Sequence, residues 1–156
     1  MKVLLYAFTL LFMTYLTSNI YAETEAMSVE EMKAICETDE EKWSNPIHME
    51  IILDNFKYIP EDIVFKKCQA YHLVLTNKSN ISHTFTAKEF FESVLYKGDS
   101  GEIDVMTDDD MDKLDLKGRQ ASTLEFMPAV VGKYPLKCTH FGHAFRGMKG
   151  SIIVEE

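Results

Sequence analysis

From His48 onward, this 156-residue chain is written in short runs in which apolar and polar side chains take turns. Such alternation sends every second side chain to one face, which is the period of a strand and not of a helix. His48-Met-Glu-Ile-Ile-Leu53, Asp62-Ile-Val-Phe-Lys66, Ala70-Tyr-His-Leu-Val-Leu-Thr76 and Ser82-His83-Thr-Phe-Thr86 all read as strands. Asn77-Lys-Ser-Asn80 is the turn between the last two. A strand pair spans Asp115 to Phe126, and Gly150-Ser-Ile-Ile-Val154 forms a final strand. Glu89-Phe-Phe-Glu-Ser-Val94 fits either one helical turn or an irregular strand. Many short strands divided by Gly and Pro turns predict an all-β protein, a β-sandwich.

The first 46 residues have a different character. Residues 1–22 hold one Lys, an apolar run and a small residue, Ala22, ahead of Glu23, which is the pattern of a secretory signal. Thr9, Thr14, Tyr15 and Thr17 interrupt the run, and a spanning helix needs about 20 strongly apolar residues. The expectation is therefore cleavage after Ala22, although Ile20 is bulkier than usual three residues before a cut. The mature chain is then exported, to the periplasm, with no membrane anchor. Residues 23–46 form an N-terminal extension, and 47–156 the sandwich domain. Within the extension, Ser28-Val-Glu-Glu31 has the spacing of a capping box. Met32, Ile35 and Cys36 share a helical face, so 29–42 is expected to be a short amphipathic helix that Asn45-Pro46 stops.

With 25 acidic and 16 basic residues, the net charge is −9, and more negative still without Lys2. Phosphate contacts need clustered Lys and Arg, so nucleic acid is excluded as a partner. Cations and basic proteins remain. Residues 98–115 combine Gly98, Gly101 and a dense acidic run through Asp108-Asp-Asp110. They read as a turn-rich loop outside the core, either a solvated face or a surface that steers a basic partner.

Chemistry concentrates in Cys138-Thr-His140-Phe-Gly-His143-Ala-Phe-Arg-Gly-Met148, with His83 far upstream. A thiolate, imidazoles and a thioether make a soft-metal ligand set. It suits copper better than zinc, because Met is a poor zinc ligand but a good weak axial ligand to copper. Cys138, His143 and Met148 lie five apart with Gly142 and Gly147 between them. Neither a helix nor a strand brings all three to one centre, whereas a tight loop between two strands does. Of the three cysteines, Cys36 and Cys68 are left over if Cys138 holds a metal. They form a disulfide in an oxidising compartment, or stay as half-buried thiols.

Taken together, Phe56-Lys-Tyr-Ile-Pro-Glu-Asp-Ile63, Leu73-Val-Leu-Thr-Asn77 with His83-Thr-Phe85, Phe126-Met-Pro-Ala129, Gly132-Lys-Tyr-Pro-Leu-Lys-Cys138 and Gly147-Met148-Lys-Gly150-Ser-Ile-Ile-Val154 resemble the cupredoxins. The segment His83-Thr-Phe-Thr-Ala-Lys-Glu-Phe-Phe91 is similar to small exported bacterial cupredoxin-like copper-binding proteins. The resemblance covers residues 47–154. It implies a Greek-key β-sandwich with one type 1 copper at one end. By position it implies His83, Cys138 and His143 as the principal ligands and Met148 as the axial thioether. The chain departs from the pattern in Cys68, which stands where a Gly commonly turns the chain, in the N-terminal helix, in the long acidic loop and in the extra imidazole of His140.

His143 is preferred to His140 because His140 lies two residues from Cys138, where an extended backbone would crowd both side chains together. Gly142, by contrast, lets the chain turn back before His143. His72 reads as a sandwich side chain and His48 as a surface residue. Met106, Met111 and Met127 read as packing, the first two with a weak attraction for Cu(I). Phe141, Ala144 and Phe145 either seal the metal from water or form an apolar docking patch. With no general base, nucleophile or open coordination position, the chain is expected not to be an enzyme. The expected role is electron transfer by a monomer with a redox partner protein such as a cytochrome or copper oxidase. The alternative is a copper carrier that hands its ion to a chaperone.

Overall fold

The computed structural model describes residues 28–37, 40–97, 103–105 and 112–156. Residues 1–27, with the expected signal, and most of the acidic run, with Met106 and Met111, lie outside them. Two mixed sheets face each other. The first has the order β2-β1-β4-β9-β6-β7, from Lys57–Ile59, Ile47–Asp54, Tyr71–Asn77, Ala121–Pro128, Val94–Lys97 and Ile103–Val105. The second has the order β3-β11-β10-β5-β8, from Asp62–Lys66, Lys149–Glu155, Gly132–Lys137, His83–Thr86 and Lys113–Leu116. β1 runs parallel to β4 and β3 parallel to β11, while the remaining neighbours are antiparallel.

The alternation seen in sequence is the reason the sheets stack. Along β4 every second residue, Tyr71, Leu73, Leu75 and Asn77, is buried. Tyr71, Leu73 and Leu75 meet Phe85, Leu136, Ile152 and Val154 of the second sheet in one core. Phe65, Tyr71, Phe90 and Phe126 form its aromatic centre, with ring centroids 4.7 to 5.9 Å apart. Each fully buried Leu or Phe contributes about 1.5–3 kcal/mol.

Residues 88–91 form a helical turn, α3 (Lys88–Phe91), which decides between the two readings of that segment. Phe90 and Phe91 are both fully buried. Successive strand residues point to opposite faces, so a buried Phe pair is better served by a turn of helix. The 98–115 segment departs from the loop expected of it, because β7 and the first three residues of β8 lie within it, whereas the end of β8 falls in the strand pair expected from Asp115. The four residues of β8 alternate, but only Leu116 is buried, and one deep residue among acids leaves little apolar pattern to read.

The N-terminal helix is described as α1 (Val29–Glu37) and α2 (Glu40–Ser44). Its capping box is formed: the Ser28 amide donates to Glu31 Oε2 at 2.8 Å and the Glu31 amide to Ser28 Oγ at 3.2 Å. Cys36 and Cys68 are joined in a disulfide. That bond sets the rotation of α1, and the buried face is Lys33 and Cys36, not Ile35, which is 56% exposed. Cys36 and Trp43 then cover Ala70, Leu95, Met127 and Ala129 in a second small cluster, which accounts for Met127 as packing. Cys68 takes φ +51°, so a left-handed turn is made at the position where the resemblance leads one to expect Gly.

The turn before β5 hangs on one buried amide. Asn77 Nδ2 lies 2.8 to 3.0 Å from the carbonyl oxygens of Ile81, Leu116 and Lys117. Its Oδ1 accepts from the amide and the hydroxyl of Ser79. Asn77 therefore ties the β4–β5 turn to the end of β8 and fixes where His83 begins. Asn77→Ala leaves several buried backbone groups unpaired and should cost about 3 kcal/mol of stability, read from the urea unfolding midpoint. An unchanged midpoint would contradict this role.

Candidate metal centre

β10 ends at Lys137, and Cys138 follows it, 1% exposed. The segment from Cys138 to Met148 closes on itself through its backbone. The Cys138 amide donates to the Met148 carbonyl (3.1 Å), the Met148 amide to the His143 carbonyl (3.0 Å), and the His143 amide to the His140 carbonyl (3.1 Å). Two turns in this path use left-handed backbone, at Gly142 (φ +78°) and Gly147 (φ +104°), where any side chain is disfavoured.

The closure carries His143 back over Cys138. His143 Nδ1 lies 3.4 Å from Cys138 Sγ and 3.2 Å from Nδ1 of His83. The ligand atoms of the three residues all lie within 4.8 Å of one another. His83 is fully buried at the start of β5, and His143 is partly exposed. Thr84 joins the two halves of the site. Its amide donates to Cys138 Sγ at 3.3 Å, and its Oγ1 accepts from the Thr139 amide at 2.7 Å. Beneath it the buried Tyr58 hydroxyl donates to the Thr84 carbonyl at 2.6 Å. Burial first, and then the charge of Cys138, push the Tyr58 hydroxyl's pKa up, so it stays a donor.

This donor set fits a transition metal. Two imidazole nitrogens and a sulfur, each with a lone pair, converge on one point, and soft or borderline metals favour N₂S sets of this kind. His83 Nε2 is buried with no hydrogen-bond partner among the described residues. It is the position left for the proton when Nδ1 carries a metal. Both imidazoles are held below the ordinary histidine pKa. For His83 the cause is burial, then the charges of His143 and His140, with Asp54 opposing. For His143 it is burial, then His140 and Arg146. Neutral imidazoles at neutral pH are the ligating form.

The structure brings His83, Cys138 and His143 together and leaves His140 aside. His140 Nε2 lies 3.5 Å from Asp115 Oδ1, its ring centroid 5.5 Å from that of His143. Met148 is fully buried and bonded through its backbone to both Cys138 and His143. His72 is bound to Glu125 (Nδ1 to Oε1, 3.0 Å) and packs on His48, away from the cluster. Phe141 and Phe145 stand fully exposed on the ligand loop. Sequence reasoning passed over Thr84, Tyr58 and Phe56, whose ring centroid is 4.8 Å from that of His143. Only the two-residue gap between Asp54 and Lys57, which pair in β1 and β2, marked Phe56 as a turn residue.

The lowered histidine pKa values have a consequence for the metal-free chain. The unfolded state takes up protons below about pH 6.5 while the folded site resists them. Stability is therefore complete above that pH and declines below it, towards the depressed folded values. Urea midpoints of metal-free protein from pH 8 to pH 5 should fall, and fall less in a His83→Gln, His143→Gln double variant. Equal pH slopes in the two proteins would contradict the assignment.

No protein-family model and no curated protein matches this sequence. Solved structures do. A multicopper oxidase from Campylobacter jejuni, described as a metallo-oxidase, is 15% identical with a TM-score of 0.54, over 72% of this chain and 31% of that one. A Cu-containing nitrite reductase from Thermus scotoductus is 17% identical with a TM-score of 0.52, over 76% and 33%. The chain thus spans about a third of each of these two proteins. A dithionite-reduced auracyanin from Roseiflexus castenholzii is 20% identical with a TM-score of 0.49, over 70% and 97%. Two facing mixed sheets, a Cys–His loop between β10 and β11, and the likeness to single portions of two larger proteins identify the chain as having the cupredoxin fold.

Proposed function

We propose that this is an exported one-electron carrier with a single type 1 copper, held by His83, Cys138 and His143 with Met148 as the axial thioether. The observation that carries this reading is the convergence of one ring nitrogen from each of His83 and His143 and the Cys138 Sγ within 4.8 Å. The backbone tie of Met148 to Cys138 and His143 supports its place in the set. The Thermus protein that shares the fold is described as Cu-containing, which agrees with the ligand chemistry. When bound, copper supplies one-electron exchange.

The chain's own part is to hold its donors still. Cys138 and His83 are buried, Thr84 fixes the sulfur, and the loop is closed by backbone bonds. Ligands that cannot relax towards the preferred shape of either oxidation state leave little to rearrange when an electron moves. His143 is the partly exposed ligand, and Phe141 and Phe145 flank it as an apolar surface on which a redox partner docks. Export rests on the pattern of residues 1–22 and on the Cys36–Cys68 disulfide, since such bonds persist in oxidising compartments.

The rival reading, a carrier that passes copper on, draws on His140 beside His143 as a second imidazole for a departing ion. Stopped-flow mixing of copper-loaded protein with a soluble cytochrome c separates the two. Electron transfer with copper retained supports the proposal. Ion transfer to a copper chaperone without electron exchange supports the carrier. Met148→Leu should keep one copper per chain and shift the reduction potential, because the axial ligand tunes it. An unshifted potential would remove Met148 from the ligand set.

A further inference from the structure

The β1–β2 hairpin turns through Asn55 and Phe56, at φ +44° and +64°. Asp54 pairs with Lys57, so these two residues are the whole turn. Positive φ at both central positions is the type I′ pattern, which favours Asn followed by Gly. Asn55 suits it. Phe56 does not, because a bulky side chain in the left-handed region meets its own backbone. A strained residue is kept only where its surroundings over-determine it, and such residues gather at functional sites.

The surroundings of Phe56 are the metal centre. Its ring meets the His143 ring edge-to-face at 89°, with centroids 4.8 Å apart, and the His83 ring at 85° and 5.9 Å. Arg146, in the ligand loop, lays its guanidinium over the Phe56 ring, 3.6 Å from its centre. A cation over an aromatic face is attracted by the ring quadrupole. The ring is thus fixed between the ligating imidazoles and a cation three residues past His143. Glycine would make the turn more easily and leave one flank of both imidazoles open.

We propose that Phe56 is a positioning residue of this centre, a strained turn residue clamped by Arg146 that walls His83 and His143 from water and restrains the ligand loop. The inference rests on the metal-site reading above for its meaning, but its geometry can be tested without metal. Exclusion of water from a metal site raises the local cost of the more highly charged ion, and the apolar shell tunes the potential and ligand retention.

The test compares Phe56→Gly, Phe56→Ala and Arg146→Gln. In metal-free protein, Phe56→Gly should melt about 2–8 °C above Phe56→Ala, since both lose the ring but only Ala keeps the strained φ. Equal melting would overturn the strain. Also without metal, His143 should react with diethyl pyrocarbonate severalfold faster in Phe56→Gly than in wild type, and to an intermediate degree in Arg146→Gln. Equal rates would overturn the shielding. With copper bound, Phe56→Gly should release it to a chelator about tenfold faster and show a lower reduction potential. The double variant should add little to Phe56→Gly, because Arg146 acts through the ring. Unchanged release, or additive effects, would overturn the clamp. Failure of the wild type to hold one copper would overturn the metal reading instead, and the metal-free reactions would still decide the role of Phe56.

Discussion

The bond from the Thr84 amide to Cys138 Sγ is the contact on which the site depends. A buried sulfur that is to hold a metal needs to be kept in place and partly neutralised, and an N–H donor does both. The same residue takes the Thr139 amide on its hydroxyl and the Tyr58 hydroxyl on its carbonyl. Thr84 therefore joins β5, which carries His83, to the end of β10, which delivers Cys138, and to β2 in the opposite sheet. Asn77 extends the same constraint backwards by fixing the turn from which β5 starts. Distant parts of the sequence supply the three proposed ligands, and their relative positions follow from a handful of buried polar bonds set in an aromatic core.

Much of this was legible in the sequence, and what was legible has a common cause. β4 buries every second residue along its whole length, and the spacing of Gly142 and Gly147 announced a loop that doubles back. The parts that were not legible depend on partners far along the chain. Ile35 looked like a buried position on a helical wheel, yet the disulfide from Cys36 to Cys68 turns it outwards. Phe90 and Phe91 were ambiguous until both proved buried. β8 hid in an acidic run because it buries one residue. Phe56 drew no role from the sequence, and its importance comes from His83, His143 and Arg146, each at least 27 residues away in sequence.

Stability and chemistry pull in different directions at this end of the sandwich. Left-handed backbone falls on glycine in the ligand loop but on Asn55 and Phe56 in the facing hairpin. A hairpin optimised only for folding would have glycine in place of Phe56. Burial also holds His83 and His143 towards their neutral forms, which readies them as ligands and costs the metal-free chain stability in acid. The described part of the extension, held by the Cys36–Cys68 disulfide and a small apolar cluster, covers the first sheet around Leu95 and Met127.

The central claim is that the sulfur of Cys138 and the two imidazoles bind one copper directly. The visible and electron-paramagnetic-resonance spectra of the Cu(II)-loaded protein test it most directly. The account predicts a blue protein with an intense thiolate-to-copper charge-transfer band that vanishes in Cys138→Ser. A colourless Cu(II) complex of the wild type, or a band that survives in Cys138→Ser, would contradict it.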